Sequence, residues 1–228
     1  NMDGTGSMDI YSFDLYDGAK PERVLFLKGS LLDENKQILE DVAFEIKNIK
    51  TQEITTISVD EGSYVSSIVL DADDDVLITI KKEGFAFVSS YISSDDTSFN
   101  SPSALNFEIK SLAEGKSFNI DNIYFDINSY EIQYSAKQIL IEFAKFLELN
   151  SNLVIEINGF TDNVGDKKRN QLLSENRAKA VRDLILMQGI HEKRVFYNGF
   201  GESFPISSND NEAGRGKNRR TEFKIISQ

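Results

Sequence analysis

The sequence predicts an α+β protein in two parts, a β-rich first half followed by a two-layer α/β half. From Pro21 to Ile92, short runs of alternating apolar and polar residues are separated by Asp, Glu, Asn and Gly. From Asn122 onward, strand-like runs alternate with long stretches of helical period. Charge changes at the same place. Residues 1–112 hold 9 Lys+Arg against 21 Asp+Glu, net −12, whereas residues 113–228 hold 16 of each.

Taken in order, residues 1–20 form an N-terminal arm rich in Asp and Gly, with one alternating run, Ile10–Tyr16, that reads as a strand. Gly6-Ser7-Met8-Asp9-Ile10-Tyr11-Ser12-Phe13 resembles the last strand of a β-propeller blade; the other reading is an arm packed on the next domain. Residues 21–95 form a small sandwich with strands at Val24–Leu31, Asp41–Asn48, Ile54–Val59, Ser63–Val69, Val76–Lys81 and Phe85–Ile92. Turns fall at Asp33-Glu34-Asn35, Asp60-Glu61-Gly62, Asp71–Asp75 and Glu83-Gly84. Asp71–Asp75 is rich in hard oxygen ligands but fails as an EF-hand: position six is Val76 and position twelve Lys82. It reads as a solvated turn.

Residues 96–112 are expected to link the halves, with Leu105–Ile109 a strand leading out. Residues 113–228 are the second domain. Asn122–Asp126 reads as its first strand, and Asn128 with Glu131 as a capping box. The next helix lines up Ile132, Ala136, Ile139, Leu140, Phe143, Phe146 and Leu147 on one face. Leu153–Asn158, Val195–Asn198 and Glu222–Ile226 read as strands. Gln171–Gln188 has no proline or glycine and reads as a helix. At about 100° per residue, Ser174, Arg177, Ala178, Val181, Leu184 and Ile185 share an arc of roughly 120°. Arg177 therefore lies within an apolar stripe. A buried guanidinium needs partners, and Asp162 is the nearest upstream carboxylate.

Composition excludes several functions. There is no cysteine, hence no disulfide, thiolate metal site or thiol nucleophile. The single histidine, His191, leaves little for a histidine metal site or Ser-His catalysis. It reads as structural or solvent-facing. No run reaches about 18 apolar residues, the length of a membrane-spanning helix. The acidic first half argues against nucleic acid and anionic membranes. No cofactor is implied. Gly214-Arg215-Gly216-Lys217 lacks phosphate-loop spacing. Gly159, Gly165 and Gly201 read as turns with positive φ, and Arg215, Asn218 and Arg219 as ties between a long loop and the last strand. No leader opens the chain, and Asn1-Met2-Asp3-Gly4 reads as a start inside a longer protein.

Several motifs carry a resemblance. Gly159-Phe160-Thr161-Asp162-Asn163-x-Gly165 is followed by Asn170-x-x-Leu173-Ser174-x-x-Arg177-Ala178-x-x-Val181. Then come Gly189-Ile190-x-x-x-Arg194, Gly199-x-Gly201 and Gly214-Arg215-x-x-Asn218-Arg219-Arg220-x-Glu222-Phe223. Together they resemble the OmpA-like C-terminal domain, a two-layer βαβαβ fold, over residues 113–228. Phe160 departs from the pattern, since the family usually has histidine there. Val24-x-x-x-Lys28-Gly29-Ser30-x-x-Asp33, Asp60-x-Gly62-x-Tyr64 and Lys82-x-Gly84-Phe85 resemble the carboxypeptidase regulatory-like, transthyretin-type β-sandwich over residues 22–95.

The first resemblance implies non-enzymatic binding of peptidoglycan through the diaminopimelate of its peptide stem. Asp162 would take the ammonium, and Arg177 the carboxylate through a two-donor fork. Asn170 and Ser174 would add hydrogen bonds, and Thr161, Asn163, Asp126 and Arg220 would line the pocket. On the residues alone, a structural salt bridge between Asp162 and Arg177 is the other reading. The whole arrangement resembles Bacteroidetes envelope anchor proteins, some of which serve type IX secretion. That implies a periplasmic location, an envelope or secretion-complex partner, and outer-membrane association through parts outside this segment. Phe160 leaves open a protein-interaction module with a degenerate pocket. A wall hydrolase lacks any motif framing two carboxylates.

Overall fold

The computed structural model describes residues 23–71, 73–96, 103–126 and 128–228. The arm at 1–20 and its Ile10–Tyr16 run lie outside the described residues.

The first half contains two sheets. Strands β1 (Arg23–Asp33), β4 (Ser63–Leu70), β7 (Ser103–Ala104) and β8 (Phe107–Ile109) form one, with β1 between β4 and the two short strands. The other has the order β3 (Ile54–Thr56), β2 (Ala43–Asn48), β5 (Val76–Lys81), β6 (Val88–Ile92). Alternation along the strands sends Leu25, Leu27, Leu31 and Tyr64 from one sheet, and Phe44, Ile46, Ile78 and Ile80 from the other, into a shared core. The stretch expected as a linker contributes to this body. Leu31, Leu32 and Asp33 pair in parallel with Phe107, Glu108 and Ile109. Phe107 meets Phe44 edge-on at 5.7 Å, and the Tyr64 hydroxyl donates to the Leu105 carbonyl at 2.6 Å. These contacts hold the segment against the sheets.

The second half has a sheet of order β11 (Val195–Gly199), β10 (Val154–Gly159), β12 (Thr221–Ser227), β9 (Ser117–Asn119). β10 and β11 run parallel, and α2 (Lys167–Met187) is the crossover between them. Helix α1 (Tyr134–Leu149) buries the predicted stripe. α2 begins earlier than expected because Asp166 caps it, accepting from the Arg169 N–H at 3.0 Å. A 3₁₀ turn at Glu192–Arg194 leads into β11, and α3 (Glu212–Asn218) precedes β12.

Two segments differ from what the sequence predicts. Asn122–Asp126 is not a strand: Asn122 has φ 63°, which breaks extended backbone, and β9 occupies the place beside β12. The capping box does not form either. Asn128 has φ 56°, and α1 starts after Gln133, which makes no side-chain cap.

The halves meet over one continuous apolar cluster. Ile49, Leu77, Ala86 and Phe87 from the first half pack with Phe143, Phe146, Leu147 and the sheet residues of the second. The Phe87 ring lies 5.4 Å from Phe143 and 5.8 Å from Phe146. Beside them Glu142 of α1, only 1% exposed, receives Lys81 at 2.8 Å, Lys145 at 2.9 Å and Lys47 at 3.5 Å.

Candidate functional site

The site lies where β10 and β11 end and α2 begins. Gly159 and Gly199 close those strands, and α2 crosses directly over them. A Cβ on Gly159 would collide with the Ser174 carbonyl, and one on Gly199 with the Glu175 backbone. Gly159 is therefore required for close approach rather than for positive φ, which corrects the sequence reading. Gly165 (φ 101°) and Gly201 (φ 55°) do adopt left-handed backbone. The close contact lets the Ser174 hydroxyl accept from the Gly201 N–H at 2.8 Å while donating to the Gln171 carbonyl.

After β10 the chain turns through Thr161 and Asp162. Thr161 donates its hydroxyl to the Asp162 carbonyl at 2.8 Å. The Asp162 side chain is nearly enclosed, at 9% residue exposure. One oxygen accepts the Val164 N–H at 3.0 Å and the other the Arg219 guanidinium at 2.7 Å. Asn170 lies beneath the turn, its amide directed at the carbonyls of Asp162 (3.4 Å) and Val164 (3.2 Å) and at the Glu202 carboxylate (3.3 Å). Asn163 is exposed.

Arg177 is buried, at 8% exposure, but its partners are not those expected. It donates to the carbonyls of Ser129 (2.9 Å) and Asp126 (3.0 Å) and lies 4.9 Å from the centre of the Phe125 ring. No carboxylate comes within ion-pair distance of it among the described residues. The loop at 122–129, irregular where a strand was expected, is what supplies those carbonyls. Burial lowers the proton affinity of Arg177, nearby Arg219 lowers it further, and Asp162 opposes both. Asp162 is thus ion-paired with Arg219, while Arg177, buried close by, has hydrogen-bond partners but no ion-pair partner among the described residues.

Arg219 is the residue that sequence reasoning placed elsewhere. It follows α3, pairs with Asp162 and Glu212, and has raised proton affinity, chiefly through its hydrogen bond to Asp162. Arg220 points away, onto Glu222 at 2.6 Å and over the Phe160 ring at 3.8 Å. Asp126 gives Arg177 its backbone carbonyl, while its side chain accepts from Gln133. Asn218 ties the preceding loop as expected, bonding both backbone groups of Ser207. His191 is exposed and caps the 3₁₀ turn, accepting from the Lys193 N–H at 3.1 Å.

Two other features stand apart from this centre. A cleft of about 450 Å³ beside β11 is lined by Glu156, Arg182, Lys193 and Tyr197 and shares no residue with the site. The carboxylates of Asp71, Asp73 and Asp74 cluster together, and Lys50 lies among them, 3.0 Å from Asp73.

Residues 124–219 match the OmpA family. The C-terminal half of the chain therefore carries an OmpA-family domain, and the β-rich half lies wholly outside that match. Among curated proteins, the peptidoglycan-associated lipoprotein of Pseudomonas putida is 32% identical over 105 residues, covering 46% of this chain and 63% of that protein. The peptidoglycan-binding protein ArfA of Mycobacterium bovis is 38% identical over 88 residues, covering 39% and 27%. The chain spans less than two thirds of the length of these relatives. Among solved structures, the peptidoglycan-associated lipoprotein from Burkholderia pseudomallei is 29% identical, with a TM-score of 0.43, over 45% of this chain and 87% of that one.

Proposed function

We propose that the C-terminal domain binds peptidoglycan non-covalently, without cleaving it, by holding the diaminopimelate of the peptide stem. The observation that carries this reading is the buried, carboxylate-free Arg177 beside Asp162. A free amino-acid end offers one ammonium and one carboxylate on the same carbon. The carboxylate would supply the counter-charge that Arg177 lacks. A carboxylate oxygen pair offers about four acceptor positions, and Asp162 uses one for Val164 and one for Arg219. The others remain for the ammonium. Asn170 and Ser174 fix the turn and helix that carry these groups, and Thr161 shapes the same turn. The relatives named for peptidoglycan support this choice of ligand.

In this reading the protein is an anchor of the cell envelope, working in the periplasm close to the outer membrane. The β-rich half, which we read as a carboxypeptidase regulatory-like sandwich, joins the wall-binding domain to an envelope assembly. Some of the Bacteroidetes anchor proteins that the chain resembles serve type IX secretion, and such a complex is one assembly this anchor could hold. Sedimentation of the full chain with purified sacculi tests the core of the proposal. The chain should pellet with sacculi, free diaminopimelate should compete it off, and no soluble wall fragments should appear. Failure to pellet, or release of fragments, overturns it.

A further inference from the structure

A row of aromatic rings runs outward from the Asp162 turn. Phe160, two residues before Asp162, stacks on Phe200 with centroids 5.3 Å apart and planes 15° from parallel. Phe204 continues the row, edge-on to Phe200 at 5.6 Å. Arg220 closes over the other end at 3.8 Å from the Phe160 centre, and its Nη2 donates to the Phe204 carbonyl at 3.2 Å. Phe160 is buried, yet Phe204 is 67% exposed.

The backbone shows that this exposure is held in place. Phe204 has φ 58°, a region that residues with a β-carbon seldom occupy. It also precedes Pro205, which narrows its choices further. The Ser203 N–H donates to the Phe200 carbonyl at 3.0 Å, and Arg220 pins the next residue, so the turn is fixed on both sides. Such strain persists where the surroundings impose it, and it concentrates at functional sites. The same turn is joined to the binding centre: the Asn170 amide reaches both Glu202 in this turn and the Asp162 carbonyl.

We propose that Phe204 is a stacking platform for a sugar ring of the glycan strand, a second subsite beside the one that holds the stem. The proposal rests on the peptidoglycan reading above. A pyranose ring has an apolar C–H face and a polar rim. Phe204 offers a flat face with no polar tip, flanked in the chain by Glu202, Ser203 and Ser207. A stem held at Asp162 and Arg177 is covalently joined to its sugar, so the ring next to the stem is the group that a neighbouring aromatic would meet. Phe160, in place of the family's usual histidine, backs the row with a ring that Phe200 can stack on.

The test uses the full chain and two probes by calorimetry: a diaminopimelate-containing tetrapeptide, and the same peptide carrying its N-acetylglucosaminyl–N-acetylmuramyl disaccharide. The disaccharide peptide should bind about tenfold tighter than the bare peptide, the order expected from burying the apolar face of one sugar on an aromatic ring. Phe204→Asn tolerates the left-handed backbone and should erase that advantage while leaving bare-peptide affinity unchanged; Phe204→Trp should keep it. Equal affinities in the wild type would overturn the platform and leave the stem site standing. An advantage that survives Phe204→Asn, or equal loss on both probes, would also overturn it. Binding of the disaccharide peptide alone, dependent on Phe204, would keep the platform and remove the stem site. Failure of both probes would remove both. A dimer lost in Phe204→Asn, with no glycan advantage, would assign the ring to a second copy instead.

Discussion

Arg177 offers the sharpest perturbation, because its surroundings fix both a stability change and a binding change. Arg177→Ala removes two charge-assisted hydrogen bonds, to the Ser129 and Asp126 carbonyls, and one contact with the Phe125 ring. Hydrogen bonds from charged donors contribute about 1.5–3 kcal/mol each, and a cation over a ring about 0.5–2 kcal/mol. Against this stands relief from burying a guanidinium with no carboxylate beside it, a penalty of several kcal/mol. The carbonyls left behind belong to an exposed and a half-buried residue and can turn to water. The net loss should be about 1–2 kcal/mol, a fall in Tm of about 2–8 °C for a chain of this size. A buried Asp–Arg bridge would instead cost about 3–5 kcal/mol.

Binding should respond far more strongly. Arg177→Ala should abolish sedimentation with sacculi, and Arg177→Lys should bind poorly because an ammonium cannot supply a planar two-donor fork. Lys179→Ala, on the exposed face of α2, should behave as wild type. Melting curves and sacculus binding on the same three proteins are decisive. A folded Arg177→Ala that still binds fully would refute the site, and a loss of 3–5 kcal/mol would mean that the guanidinium is primarily a structural tie.

Two further predictions concern the joint between the halves. Burial pushes the Glu142 carboxyl up, but Lys81 and Lys145 pull it down further, so in the folded state it is the stronger acid. Its contribution should therefore be present above about pH 4.3, the value in the unfolded chain, and be lost as pH falls through the lower folded value. The Tm gap between wild type and Glu142→Gln should narrow as pH falls below about 4.3; a gap independent of pH would contradict this. Separately, residues 113–228 alone should unfold at lower urea than the same domain in the full chain, since they lose Phe87 from the Phe143 and Phe146 faces and both first-half lysines from Glu142. Equal midpoints would show that the contact contributes nothing.

Much of this architecture was legible because periodicity reports burial. The α1 stripe and the buried face of α2 follow from spacing alone, including the enclosure of Arg177. What spacing could not tell was which acceptor satisfies the guanidinium. Carbonyls can accept its N–H groups as a carboxylate can, though without the counter-charge, and those of Asp126 and Ser129 become available because Asn122–Asp126 forms no strand. Alternation says that adjacent Arg219 and Arg220 diverge, but not which of them faces Asp162, some 57 residues away. At Gly159 the requirement is close approach to the Ser174 carbonyl, and close approach and positive φ leave the same letter in a sequence.

The run from Val76 to Lys81 contains a signal that connects both halves. All six residues of β5 are buried, although a strand with one wet face would alternate. Val76, Ile78 and Ile80 enter the core between the two first-half sheets; Leu77 enters the other core, and Lys81 reaches Glu142 of α1. One face is thus a sheet interior and the opposite face a docking surface. The polar part of that surface matters for orientation. Apolar contact tolerates sliding, whereas a buried carboxylate held by Lys47, Lys81 and Lys145 has one arrangement that satisfies its charge. For a protein proposed to hold an envelope assembly to the wall, such a joint would carry load through packed side chains and ion pairs as well as through the connecting backbone.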